Sequence, residues 1–302
     1  MYWWAAQRCA DFVVRDYAIR SRTTKSAQRI GCCAVATPES VPLRGPAGCQ
    51  TRVLSSQQRA LVARPFVLQS LVSIIIPTYN EAASIGDLLR YLGTATAGAP
   101  APELLVIDGG STDATVALAQ QAGAAVHRSP RKGRAAQLNY GAEQAQGDVL
   151  YFLHADSYPP PGFLADLGRA LAQGYDSGCY RLAFDHGHWF LRFSAWCTRF
   201  PFTFLRFGDQ SLFVRRELFA DLGGYREDLH VMEDQELVQR LRARVPFVVL
   251  PRAVTTSARK YLANGVFRLQ GIFTLIVLLY WAGVSQDNLV RLYRRLIRQG
   301  KL

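Results

Sequence analysis

An open, mostly parallel α/β sheet flanked by helices, followed by an apolar C-terminal helix, is the fold class this sequence predicts. Three observations point to it: short apolar, β-branched runs, helical patterns alternating with those runs, and polar residues gathered where the runs end. With 302 residues, 49% of them hydrophobic, the chain has ample material for a core.

Val72-Ser-Ile-Ile-Ile-Pro77 is the first run, as expected for a strand buried on both faces. A helical pattern follows from Ala83 to Leu92. Leu104-Leu-Val-Ile-Asp108 is a second buried strand, ending in the turn Gly109-Gly110-Ser111. Ser111 or Thr112 is positioned to cap a helix over Asp113–Ala122. A short strand is expected at Ala124–His127, a helix at Arg134–Gln146 and a strand at Val149–Leu153. Ligands in such sheets sit at the carboxyl ends of the strands. The polar groups Thr78–Glu81, Asp108–Asp113 and His154–Ser157 lie there.

The ends of the chain differ from its middle. The net charge is +12, yet residues 1–70 hold ten Arg or Lys against Asp11, Asp16 and Glu39 and so carry +7 of it. They keep no clear period and read as a poorly ordered basic extension. The rest is only mildly basic, so no nucleic-acid partner is expected. Six cysteines without a CxxC pair suggest neither a disulfide framework nor a zinc site. Met1–Gln7 is apolar but too short for a signal-peptide core, so a cytoplasmic chain is expected. From Leu269 to Gln286 no residue is charged, while both flanks are basic. That length sits at the lower edge for a membrane span. With basic residues on both sides, a helix lying in the membrane interface or packed in a dimer fits better.

Several residues have types suited to chemistry. Asp108 stands where an acidic group can hold a ribose or base, although it also suits simple stabilisation of a tight turn. Thr78, Asn80 and Glu81 fall just past the first strand in the same way. His154 and Asp156 follow a strand, where alternate side chains share a face, and both are candidates for one cation. Asp156 suits Mn²⁺ or Mg²⁺, and His154 would favour Mn²⁺. Glu233-Asp234 opens a helical stretch over Gln235–Arg244 and supplies candidate bases, though the helix dipole alone favours carboxylates there. Lys132-Gly133-Arg134 places basic groups before a helix, an arrangement suited to phosphate.

The order of these segments resembles the family-2 glycosyltransferases, which have the GT-A fold. The resemblance covers residues 71–261, the expected catalytic domain, with residues 262–302 as a C-terminal helical segment. Val72–Glu81 is similar to the family's opening strand and donor loop, and Val106–Asp113 to its second nucleotide-contacting turn. Gly133–Asn139 is similar to the segment beneath the diphosphate, and Leu153-His-Ala-Asp-Ser157 stands in the place of the metal-binding DxD motif. Gly208–Arg216, Leu222-Gly-Gly-Tyr225 and Glu233-Asp234 complete the order. Each motif alone is weak; their order is specific.

The resemblance implies Asp234 as the general base of an inverting displacement. It implies donor contacts from Pro77, Thr78, Tyr79, Asn80, Glu81, Asp108, Gly109, Gly133, Arg134, Asn139 and Asp156. A Mn²⁺ or Mg²⁺ ion would be held by Asp156 with His154, and the acceptor side would comprise Asp209, Gln210 and Glu233. The donor would be a nucleotide-diphosphate sugar, with UDP the first choice. The His-Ala-Asp form and the apolar C-terminal segment look most like a bacterial subgroup similar to carotenoid-acid glycosyltransferases, whose acceptors are lipidic. Attachment to the cytoplasmic side of the plasma membrane follows as an expectation. Three departures stand out: Gly109 replaces a second acid in its turn, His154 replaces the first Asp of DxD, and the QxxRW motif is absent, with Arg259-Lys260-Tyr261 a remnant. A single-transfer enzyme is therefore expected. The rival readings are a non-catalytic nucleotide-sugar-binding module and a sugar nucleotidyltransferase. The latter usually carries a Gly-rich basic loop where this chain has Pro77–Asn80.

Overall fold

The computed structural model describes residues 71–298. The basic extension expected over residues 1–70 lies outside the described residues, as do the last four positions. Eight strands form one sheet: β1 (Val72–Thr78), β2 (Glu103–Asp108), β3 (Ala125–Arg128), β4 (Val149–Phe152), β5 (Ser157–Tyr158), β6 (Ser177–Phe184), β7 (Leu212–Arg215) and β8 (Phe247–Thr256). Their spatial order is β3-β2-β1-β4-β7-β6-β8-β5. The four strands β3-β2-β1-β4 are parallel. β7 then enters antiparallel between β4 and β6, and β8 returns parallel to β6 with a register shift at Tyr180/Arg181. The parallel block expected from the sequence is thus present, and an antiparallel insertion extends it.

Ten helices are described: α1 (Ile85–Ala95), α2 (Thr115–Gln121), α3 (Arg134–Gln144), α4 (Phe163–Ala172), α5 (Trp189–Cys197), α6 (Arg216–Asp221), α7 (Glu233–Arg244), α8 (Arg259–Asn264), α9 (Val266–Trp281) and α10 (Gln286–Leu296). α1 is amphipathic, burying Ile85, Leu88, Leu89 and Leu92 at helical spacing. The expected cap of α2 by Ser111 or Thr112 is not made. Both residues are instead tied to Asn80, and Asp113 Oδ1 accepts from Thr115 N at 3.0 Å.

The β-branched run of β1 is explained by burial on both faces. Ile74 and Ile76 join Leu88, Leu92 and Leu167 on one side, and Ile75 joins Leu138, Phe219 and Leu241 on the other. α9 and α10 build a separate cluster, in which Leu269, Ile272 and Ile276 meet Leu289 and Tyr293 around Val231. No helix among the described residues is long and apolar enough to cross a membrane.

The helix that follows the candidate phosphate loop, α3, lies very close to the sheet. A Cβ at Gly141 would sit 2.5 Å from Ile75 Cγ2 and 2.9 Å from Ile107 Cγ1. Gly141→Ala is therefore expected to destabilise the fold by about 1–3 kcal/mol despite its better helix propensity, measured by denaturant unfolding. An unchanged midpoint would show that α3 can shift without cost.

Candidate functional site

The carboxyl ends of β1, β2 and β4 carry the first group of expected residues. Asp108, buried at the end of β2, accepts from Gly110 N at 2.9 Å and from Ser111 N at 3.0 Å. Its carboxylate therefore shapes the turn. Asn80, at φ +53, donates its backbone N–H to Ser111 Oγ at 2.9 Å and accepts from Thr112 N on its Oδ1 at 2.8 Å, so the two strand-end loops are laced together. Thr78 is buried beside Pro77 at the end of β1, whereas the Tyr79 ring is 44% exposed and free to cover a flat ligand.

Gln137, absent from the expected set, joins these loops from below. Its Nε2 donates to Thr78 O at 2.9 Å and to Ile107 O at 2.7 Å. A Cβ at Gly109 would lie 3.0 Å from that same nitrogen, which gives the glycine at this position a steric reason. The sequence signal for Gln137 was its place in the Gly133–Asn139 segment, but nothing there revealed its partners. Gly133 precedes α3 at φ +112, a conformation that favours glycine.

Arg134 occupies the centre of the site. Its Nε donates to Glu233 Oε1 and its Nη2 to Asp234 Oδ2, both at 2.6 Å, while Nη1 lies 3.5 Å from His154 Nε2. Burial acts to lower the guanidinium's pKa, but Asp234 and Glu233 outweigh it and the net shift is upward. Glu233, 1% exposed, is held above the usual carboxylate range by burial against the opposing pull of Arg134. Its Oε2 has no hydrogen-bond partner among the described residues. Gly208 lets the backbone close on this cluster, since a Cβ there would fall 2.5 Å from Asp234 Oδ2 and 2.8 Å from His154 Nε2.

His154 and Asp156 were expected to face one ion on the logic of strand alternation. β4 ends at Phe152, however, and residues 154–157 form a turn closed by Ser157 N to His154 O at 3.1 Å. The two side chains take different partners. His154 Nδ1 lies 3.1 Å from Asp209 Oδ1, and Asp156 Oδ2 lies 3.2 Å from Arg259 Nη2. Burial would lower the imidazole pKa, but the hydrogen bond to Asp209 reverses the shift. For Asp209, burial is outweighed by His154, which pulls the carboxyl down to about 2.

Burial raises the Asp156 carboxyl, with Asp209 and Glu81 adding to the effect while His154 and Arg259 oppose it. Arg259, read from the sequence only as a basic flank and motif remnant, also holds Glu81 at 2.6 Å. Among the described residues no group of three or more His, Cys, Asp or Glu side chains is gathered to hold a metal ion; Asp156 is a partly exposed oxygen donor of the kind a hard divalent ion takes, and Arg259 supplies its offsetting charge.

Two expected residues face away from the opening. Asn139 Nδ2 donates to Tyr225 O at 2.8 Å and Glu227 Oε1 at 3.0 Å, while its Oδ1 accepts from Tyr225 N, locking the Gly223-Gly224-Tyr225 loop. Gln210 is buried and accepts from Arg206 Nη1 at 2.7 Å. Asp209 remains on the open side, beside His154.

The ion cluster yields a stability prediction. Arg134→Met leaves Glu233 buried without its cation and is expected to cost about 3 kcal/mol, the low end for such pairs because Arg134 is 39% exposed. Glu233 then titrates still higher in the folded state than in the unfolded chain. The folded state holds the extra proton between those two values, so the variant loses stability as pH rises through that window and recovers part of it on acidification. Urea unfolding at pH 5 and pH 8 checks this; a deficit independent of pH would contradict it.

A mannosyltransferase from Pyrobaculum calidifontis, solved with GDP-Man and Mn²⁺, is 20% identical with a TM-score of 0.55, covering 80% of this chain and 70% of that one. TarS 1–349 of S. aureus is 19% identical with a TM-score of 0.51, covering 66% and 64%. These likenesses show the fold, that of the GT-A transferases. The undecaprenyl-phosphate 4-deoxy-4-formamido-L-arabinose transferase of Pseudomonas paraeruginosa is 38% identical over 114 residues, 35% of this chain and 34% of its own length. That of Aeromonas hydrophila is 38% identical over 115 residues, 35% of each. The chain thus matches about a third of the length of these curated relatives. The model of Glycosyl transferase family 2 matches residues 73–220, and that stretch of the chain is a family-2 glycosyltransferase domain.

Proposed function

We propose that this protein is an inverting glycosyltransferase that moves a sugar from a nucleotide-diphosphate donor, UDP-sugar being the first choice, to a hydroxyl or carboxyl acceptor of lipid character. The observation that carries this reading is the cluster of Asp234, Glu233 and Arg134 at 2.6 Å contacts beside His154. Glycosyl transfer needs a base for the incoming oxygen and positive charge for the departing diphosphate, and the cluster offers both.

The acceptor oxygen attacks the anomeric carbon as the bond to the diphosphate oxygen breaks. The electron pair leaves with the diphosphate, and the acceptor proton passes to Asp234 Oδ2. In the resting arrangement that oxygen is bonded to Arg134. A diphosphate that draws the guanidinium toward itself returns the lone pair to Asp234 for the proton. Tyr79 covers the base, and the backbone at Gly133 opens α3 toward phosphate. Asp156, with Asp209 nearby, would hold Mn²⁺ or Mg²⁺, which when bound neutralises the leaving diphosphate. The names of the curated relatives, transferases acting with undecaprenyl phosphate, support a lipid acceptor, and with it peripheral attachment at the cytoplasmic face of the membrane.

Asp234→Asn is expected to bind UDP as the wild type does while transfer falls by about 10²–10⁴-fold. Full transfer by the folded variant would remove Asp234 from the role of base. UDP titrated with and without Mn²⁺ is expected to bind more tightly with the ion, and Asp156→Ala to abolish that gain. An equal gain in the variant would assign the ion elsewhere. Nucleotide binding without turnover on any lipid or sugar acceptor would favour a non-catalytic module.

A further inference from the structure

We infer that the segment from Trp189 to Phe207, with Phe267 at the start of α9, is a surface built to seat on an anionic lipid bilayer. The inference deepens the lipid-acceptor reading and rests on it only for the last step, presentation of the acceptor to Asp234.

Among the described residues, seven of the fourteen exposed large hydrophobic side chains fall between positions 189 and 207. On α5, Trp189, Phe193 and Trp196 share one face at helical spacing, and Leu191 is buried on the other. The chain beyond α5 continues the surface with Phe200, Phe202 and Phe204. Neighbouring rings touch one another: Trp196 and Phe200 at 5.1 Å between centroids, Phe202 and Phe204 stacked at 5.4 Å. Phe267 joins them through Trp189 at 5.9 Å and Phe190 at 5.1 Å.

These rings are held outward by polar bonds beneath them. Arg206 is 1% exposed, and its guanidinium donates to Thr198 O at 2.8 Å and to Phe200 O. Gln235 Nε2 donates to Phe204 O at 3.1 Å, and Arg242 Nη1 to Thr203 Oγ1 at 3.0 Å. Polar groups inside and aromatic groups outside reverse the usual arrangement of a water-facing loop. A contiguous apolar patch fixed in this way marks a binding surface.

Charge selects the occupant. Between His186 and Gly208 the chain carries no carboxylate, and Arg192 and Arg199 are exposed while Arg206 is turned inward; between Ser257 and Gln286 there is again no carboxylate, and Lys260 and the exposed Arg268 remain beside Arg259, which is paired with Glu81 and Asp156. Arg199 lies over the Trp196 ring at 4.9 Å. Aromatic rings interleaved with arginines and free of acids suit the headgroup layer of an anionic membrane. A second copy would set the same positive charges against each other. The surface also ends at the site: Phe207 is followed by Gly208, whose backbone packs against Asp234. An acceptor whose tail stays in the bilayer would bring its polar end to that carboxylate.

The full-length protein is mixed with vesicles of phosphatidylglycerol and phosphatidylcholine and the bound fraction measured by sedimentation. Binding is expected to rise with phosphatidylglycerol content and fall with salt. Trp189→Ser/Phe193→Ser/Trp196→Ser is expected to lower partitioning about tenfold or more, with UDP binding as the check on folding. Trp189→Phe/Trp196→Phe keeps the aromatic faces, so it should still bind, yet lose most of the tryptophan quenching that brominated lipids produce in the wild type. Partitioning by the triple variant equal to wild type, quenching unchanged in the double variant, or loss of self-association in place of vesicle binding would each overturn the inference. Vesicle binding requires no turnover, so its failure would leave the assignment of Asp234 standing, and failure of Asp234 would leave the surface standing.

Discussion

A carboxylate with almost no access to water governs the arrangement of this molecule. Glu233 needs a cation as a condition of folding, because an ionised group buried without a partner is prohibitively costly. Arg134, 99 residues earlier in the chain, is that cation. Their bond ties the start of α3 to the start of α7. Once they are joined, Asp234 must lie beside the same guanidinium, His154 closes the third side, and residue 208 has no room for a side chain. The demand for charge neutrality and the placing of the reactive groups are therefore satisfied by one contact.

Much of the parallel half was legible in the sequence, because β1, β2 and β4 are buried on both faces and their composition is dictated by that burial. The insertion from β6 to β8 was not. Leu212–Arg215 is only four residues long, and Phe247–Thr256 is interrupted by Pro251 and Arg252, so neither has a period to read. At the site, Asp234, Arg134 and Asp156 were marked by residue type and order. Their partners were not, since a guanidinium placed for phosphate and one placed for carboxylates look alike in a sequence. Arg259 reaches Glu81 across 178 positions. Asn139 and Gln210 illustrate the converse: polar residues inside recognisable motifs that spend their hydrogen bonds on holding loops.

The aromatic segment escaped notice for a related reason. Its apolar residues have the spacing of a buried helix and its arginines the look of a solvated face. Only the direction of the Arg206 guanidinium, inward to backbone carbonyls, separates the two.

The two edges of the sheet also have a consequence for handling this protein at high concentration. β5, at one edge, is two residues long and runs directly into Pro159-Pro160-Pro161, three positions without a backbone N–H. β3, at the other, is four residues long and ends in Arg128. Neither offers a row of free donors and acceptors long enough for a neighbouring molecule to add a strand. β5 covers only Thr255 and Thr256 of β8, however, so among the described residues it is Pro251, which has no backbone N–H, that interrupts the rest of this strand's outer edge.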